Sequence, residues 1–301
     1  MYDLIVVGGG PAGLTATVYA IRKRLNVLLV SRDLGGKTNY RLALPWIEEY
    51  QVIRGLEVVN KFKSELEYLK FARLLETVER VERRPEGFAV LTREGKELLT
   101  KAVIIATGAR QKFLSVPGER EFMMRGLCYS AISYAPLFID RKTAVVGDGE
   151  LALRSTAELA TVAKHVHLIG VSKDTLSLPL GKKLKAASNV TILQDYRVVE
   201  VQGNSYAERL MVKAPDGHQA EIAADAMFIE MGLVPTSQMV QDLVELDEKG
   251  HIKIDCLSRT SVQGIFAAGD VTDIYAEQVL VAVGEGAKAA LSAYDYLLLM
   301  L

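Results

Sequence analysis

The stretch Leu4-Ile5-Val6-Val7-Gly8-Gly9-Gly10-Pro11-Ala12-Gly13 decides the fold. Four apolar residues in a row read as a buried parallel strand. The glycines then turn the chain into a helix starting at Pro11, whose fixed φ suits a first helical position. Gly8 permits the tight turn, Gly10 lets backbone approach a diphosphate, and Gly13 lets helix and strand pack closely. Pro11 and Ala12 open the helix, at the positive end where backbone N–H groups hold an anion. A glycine triplet alone could be a plain turn, but strand, glycines and helix in this order point to a dinucleotide loop.

Downstream, a second buried strand is expected over 26–30. It ends in Ser31-Arg32-Asp33, so Ser31 or Arg32 is expected to meet the adenosine portion of the ligand. Gly35-Gly36-Lys37 offers a second close approach of backbone to ligand. The only tryptophan, Trp46, follows Pro45 and could pack or shield a ring. Residues 60–82 read as helix, then strand. Short strands over 88–92 and 97–100 read as a hairpin around Glu94-Gly95. A separate buried strand, 101–105, then ends in the small residues Ala106-Thr107-Gly108, where a nucleotide can pass near the backbone.

Val116-Pro117-Gly118-Glu119 reads as a hinge. Beyond it, Ala144-Val145-Val146-Gly147-Asp148-Gly149-Glu150-Leu151-Ala152 is a second opening with G-x-G-x-x-A spacing, before a helix expected over 151–163. A strand, His165–Ile169, follows. Gly264-Ile265-Phe266-Ala267-Ala268-Gly269-Asp270-Val271 then returns to the first domain as a strand ending in an acid, and a closing helix is expected over 278–299. The expected fold is α/β, with two Rossmann-like dinucleotide-binding domains of three ββα layers, the second inserted into the first. The first domain takes 1–114 and 248–301, and the second takes 115–247.

Composition narrows the function. With 301 residues, half of them hydrophobic, two domains can each bury a core. The net charge of −1 gives no electrostatic footprint for nucleic acid. No apolar run approaches the ~20 residues needed to cross a bilayer, and Met1 runs almost directly into the first strand, so a cytoplasmic protein without membrane association is expected. Two cysteines, Cys128 and Cys256, make neither a disulfide framework nor a metal-ligand spacing. The four histidines read as structural, and no metal is expected.

On Gly8-Gly9-Gly10-Pro11-Ala12-Gly13, Gly35-Gly36, Ala106-Thr107-Gly108, Gly264 to Val271 and Gly147-x-Gly149, the chain resembles the low-molecular-weight thioredoxin reductases over nearly its full length. The resemblance implies FAD in the first domain, with Asp270 accepting a hydrogen bond from the ribityl chain and the backbone of Gln278 and Val279 meeting the flavin carbonyl region. It implies a homodimer, NADPH in the inserted domain, and electrons passing through flavin to a Cys-x-x-Cys pair as the domains rotate.

The departures matter more than the matches. Counted back without a gap from Gly147, the family's two cysteines fall on Ser130 and Ser133, and serine forms neither a disulfide nor a thiolate. Cys128 reads as a buried small residue. The family's His-Arg-Arg and later Arg in the inserted domain become Gly170-Val171-Ser172 and Leu176. Charge-assisted hydrogen bonds contribute about 1.5–3 kcal/mol each, so losing two or three weakens 2′-phosphate binding on the order of 10²–10⁵-fold. Lys173 restores a point charge but not a bidentate clamp. No acid stands at the strand end to favour NADH. The family's Arg-Gln-Ala by the flavin becomes Glu277-Gln278-Val279, with Glu277 either turned inward, lowering the flavin potential, or solvated at the helix start.

The expectation is an FAD-dependent oxidoreductase without a redox-active disulfide, its donor not NADPH but a protein such as ferredoxin or flavodoxin. The flavin is its only redox centre, and no catalytic side chain is assigned. One alternative is an NAD(P)H-dependent flavin or ferredoxin reductase, and another is a non-catalytic FAD-binding protein acting through a partner.

Overall fold

The computed structural model describes residues 1–50, 55–129 and 134–300, with the backbone alone at 48–50. The chain divides into two compact units. The first comprises Met1–Asn39, Ile53–Arg110 and Val234–Leu301, and the second Tyr40–Val52 and Gln111–Leu233.

The first unit is built on the opening strand, Tyr2–Val7, whose last four residues are buried. It lies parallel between Val27–Val30 and Glu97–Ile105. The sheet runs Arg73–Leu74, Val27–Val30, Tyr2–Val7, Glu97–Ile105, Gly87–Thr92, Val78–Arg84, and Ile265–Ala267 pairs with the far half of Glu97–Ile105. Helix Pro11–Arg22 and the closing helix Val279–Leu298 cover one face with an apolar layer that includes Leu14, Val18, Ala289 and Ala293. Ile5, Val30, Val103 and Ile265 fill the other face. Helix Pro11–Arg22 ends just before Arg24, which sits in the left-handed region at φ 62°.

The segments expected as separate strands, 97–100 and 101–105, are one nine-residue strand, Glu97–Ile105. Its first half pairs antiparallel with the hairpin partner Gly87–Thr92, while its second half is fully buried between two parallel neighbours. The change from alternating to continuous burial resembled a break.

The second unit carries a five-stranded parallel sheet, in the order Leu127–Cys128, Ala226–Ile229, Lys142–Val146, His165–Ile169, Val190–Leu193. A three-stranded antiparallel sheet, Arg197–Gly203, Ala207–Lys213 and Gln219–Ala223, completes its layers. Helix Glu150–Ala160 packs with Val145, Val166 and Phe228.

The unit boundaries differ from the expected 115–247. Val240 and Val244 pack with Ile5 and Val30, which puts 234–247 in the first unit. Leu42 and Leu44, 0% and 1% exposed, pack with Cys128, Phe138 and Phe228, which puts Tyr40–Val52 in the second. Nor does the stretch at Val116–Glu119 mark the crossing. The Pro117 carbonyl accepts a 2.9 Å hydrogen bond from Val201 N–H inside the second unit, and the chain crosses at 110–111.

Candidate functional site

In the first unit the glycine loop is held from both sides. Gly8 N–H donates to Val30 O at 2.9 Å, and Ala106 N–H donates to Val7 O at 2.7 Å. Gly8, at φ 109°, lies so close to the Ala106-Thr107-Gly108 turn that a Cβ would sit 2.3 Å from Ala106 O. A Cβ on Gly13 would lie 1.8 Å from Gly8 O, so helix and loop meet backbone to backbone. Gly10 is the opposite case, with no heavy atom within 4 Å of where its Cβ would be. It is also the N-cap of helix Pro11–Arg22, which no side chain caps. An open, positively polarised helix start with room at Gly10 fits a diphosphate.

Two further predicted segments, Gly35–Lys37 and Gly269–Asp270, converge on this loop. A Cβ on Gly36 would lie 3.2 Å from Gly10 Cα, and one on Gly269 would lie 3.1 Å from Ala12 Cβ. Gly35 N–H donates to Gly9 O at 2.7 Å, and Lys37 Nζ meets the Asp270 carboxylate at 2.6 Å. Gln278 is the N-cap of the closing helix, uncapped by any side chain, so the helix start at Gln278 and Val279 presents backbone N–H groups. Free helix-start amides, a lysine and a carboxylate are the groups that a dinucleotide bearing a polyhydroxyl chain calls for.

The other predicted residues do different work. Thr107 Oγ1 donates to Thr236 O at 2.5 Å and anchors the turn. Ser31 Oγ donates to Asp33 O at 2.8 Å, while the Arg32 side chain is 82% exposed. Asp33 accepts from Gly36 N–H at 2.9 Å and closes the turn that carries Gly35 and Gly36. Glu277, exposed just before the closing helix, has its carboxyl pushed above the usual range by partial desolvation and by Asp270, with Lys37, His251 and Lys249 opposing. Trp46 belongs to the core of the second unit, its ring edge-on to Phe138 at 6.1 Å and covered by the Arg141 guanidinium at 4.2 Å.

In the second unit a Cβ on Gly147 would lie 2.2 Å from Glu230 O, whereas Gly149 faces open space. Helix Glu150–Ala160 starts at Gly149 without a side-chain cap. Between the glycines, Asp148 Oδ1 accepts from Gly149 N–H at 3.0 Å, Ser172 N–H at 3.0 Å and Ser172 Oγ at 3.1 Å. It thereby ties the loop to the segment after strand His165–Ile169. Sequence reasoning passed over this residue. An acid in the middle of G-x-G was the available signal.

The positions aligned with phosphate-binding arginines are structural. Val171 is 0% and Leu176 1% exposed. Ser172 caps helix Lys173–Ser177 by accepting from Thr175 N–H at 3.2 Å. Lys173 is exposed.

Cys128 is fully buried on strand Leu127–Cys128. Burial, and after it Glu230, pushes the thiol far above its ordinary range. Ser130 and Ser133 lie outside the described residues. Among the described residues no cluster of His, Cys, Asp and Glu is placed to hold a metal ion, and no helix is long and apolar enough to cross a membrane.

Comparison with known proteins agrees with this geometry. The family profile described as pyridine nucleotide-disulphide oxidoreductase matches residues 2–286. An alkyl hydroperoxide reductase chain of Staphylococcus aureus (strain MSSA476) is 32% identical over 300 residues, and its counterpart in Pseudomonas putida is 34% identical over 304. The matches take in 99% of this chain but only 59% and 58% of those two proteins. Thioredoxin reductase from Streptococcus pyogenes MGAS5005 superposes with a TM-score of 0.85 at 33% identity, covering 99% of this chain and 98% of that one. The enzyme from Giardia duodenalis gives 0.83 at 27% identity, covering 99% of both chains. The chain belongs to the pyridine nucleotide-disulphide oxidoreductase family, among its thioredoxin reductase-like FAD flavoproteins.

Proposed function

We propose that this FAD-dependent oxidoreductase works without an internal dithiol and takes electrons from a reduced protein of the ferredoxin or flavodoxin kind rather than from NADPH. The observation that carries the reading is the segment after strand His165–Ile169. Val171 and Leu176 are core residues and Ser172 is a helix cap, so none of the three presents a cation to a phosphate. Restoring arginine at Val171 or Leu176 would bury a charge, which makes the loss part of the fold rather than a surface change.

Bound FAD supplies the electron-transfer chemistry. The chain's own residues position it. The amides of Gly10, Ala12 and Gly13 and the Lys37 ammonium hold the diphosphate, Asp270 takes the sugar-alcohol chain, and the start of the closing helix at Gln278–Val279 meets the ring carbonyls. Dithiol chemistry is left without a pair, because serines stand at 130 and 133, Cys128 is a buried, protonated thiol and Cys256 is a lone exposed one.

The test is anaerobic addition of donors while the flavin absorbance band is followed. NADPH is expected to leave the band unchanged, and reduced ferredoxin or flavodoxin to bleach it. Rapid bleaching by NADPH would overturn the reading. Bleaching by NADH alone would make the protein an NADH-dependent reductase, and no bleaching by any donor would leave a non-catalytic flavoprotein.

A further inference from the structure

We infer that Asp148 is the selectivity residue of the second unit's glycine loop, a fixed carboxylate that rejects a 2′-phosphorylated dinucleotide. The inference deepens the proposed function and rests on it. The loop has kept its shape: Gly147 is wedged against Glu230 O and Gly149 faces open space, as backbone approaching a diphosphate requires. The residue between them is a carboxylate, Asp148.

In a strand–glycine loop–helix unit, the adenosine ribose lies between the glycine loop and the end of the next strand, where its 2′ substituent is read. Asp148 spans that gap. Its Oδ1 accepts from Gly149 N–H on one side and from Ser172 N–H and Ser172 Oγ on the other, at 3.0, 3.0 and 3.1 Å. Three donors on one oxygen hold the carboxylate in place, so an incoming phosphate meets a pinned charge rather than a side chain free to swing away. Burial raises the Asp148 carboxyl, but hydrogen bonds from Thr175, Ser172 and Gly149 outweigh it and hold the group below the usual carboxylate range, ionised at neutral pH. Lys173, the cation next to Ser172, is followed at once by Asp174, and Arg154 on the loop's own helix pairs with Glu150. A dinucleotide with a free 2′-hydroxyl meets no such repulsion and can donate to the carboxylate.

The experiment is calorimetric titration of the purified, FAD-loaded protein with NADP⁺ and NAD⁺, for wild type, Asp148→Asn and Asp148→Gly. The asparagine variant keeps the oxygen that accepts from Ser172 and loses only the charge. Glycine removes the side chain, so a folding defect in one variant leaves the other informative. Asp148→Asn is expected to bind NADP⁺ on the order of tenfold more tightly than wild type, with the gain shrinking as salt is added, while NAD⁺ affinity moves by less than about threefold. If both variants retain FAD and bind NADP⁺ no better than wild type, the role of Asp148 is refuted and the donor reading stands. Tight NADP⁺ binding by the wild type itself would remove both.

Discussion

Gly10→Val separates cofactor binding from folding. Gly10 has φ −74° and ψ −176°, an extended backbone that valine adopts readily. Its Cβ would meet no heavy atom within 4 Å, so the apo chain accommodates the branch point, at the cost of a poorer N-cap residue. Replacing glycine at a compatible position restricts the unfolded chain, a gain of about 0.4–1 kcal/mol. The same side chain occupies the diphosphate's place. Losing two charge-assisted bonds at about 1.5–3 kcal/mol each weakens FAD on the order of 10²–10⁴-fold. Gly13→Ala is the control, because its Cβ would lie 1.8 Å from Gly8 O and 2.9 Å from Gly8 C. Backbone must shift there, at a cost of about 1–3 kcal/mol or more. Flavin stoichiometry is read from the ratio of ring to protein absorbance, FAD affinity from quenching of flavin fluorescence on titrating apoprotein, and stability from thermal melts of the apoproteins. Gly10→Val should purify colourless yet melt close to wild-type apoprotein, and Gly13→Ala should melt roughly 2–5 °C lower. A Gly10→Val protein with full flavin content, or a Gly13→Ala protein that melts like wild type, would refute the reasoning.

Glu119 is 2% exposed and accepts from Leu114 N–H and Ser115 N–H, both at 2.7 Å, and from Tyr129 OH at 3.2 Å. Glu119→Ala strands these donors and should cost about 3–5 kcal/mol in urea unfolding, while Glu119→Gln, which keeps an acceptor, should cost less; equal losses would contradict the assignment. In thiol titration with Ellman's reagent, exposed Cys256 should react at once and buried Cys128 only on unfolding, so two fast thiols would show that Cys128 is accessible. The raised Glu277 carboxyl means that the folded chain holds its proton to higher pH than the unfolded chain does. Stability should therefore fall as pH rises from the unfolded value of 4.5 toward the folded one, and Glu277→Gln should flatten that fall in melts across this range. An unchanged slope would place the carboxylate in solvent.

Local signals were legible where one short segment settles its own environment. Leu4–Val7 had to be buried on both faces, and the glycine spacing had to turn the chain back along the sheet, because no other arrangement satisfies both. The convergence of Gly36, Ala106 and Gly269 on the stretch Gly8–Gly13 was legible from motifs in order. What stayed hidden depends on distant partners. Trp46 gave no sign that its hairpin packs on Phe138, and Val240 and Val244 gave none that they close the core over Ile5. Asp148 gave no sign of Ser172 opposite it, and Lys37, although picked out beside the ligand, gave none of its pairing with Asp270.

The hairpin at Leu42–Leu44 and Ile47–Tyr50 also bears on how such a chain can be recombined. A gene fragment encoding 111–233 would carry every strand of the five-stranded sheet but omit Leu42, Leu44 and Trp46, baring the apolar flank around Phe138. Such a fragment should aggregate. A graft between homologues must therefore carry residues 40–52 along with the insertion, so the unit of inheritance is two pieces of coding sequence, not one.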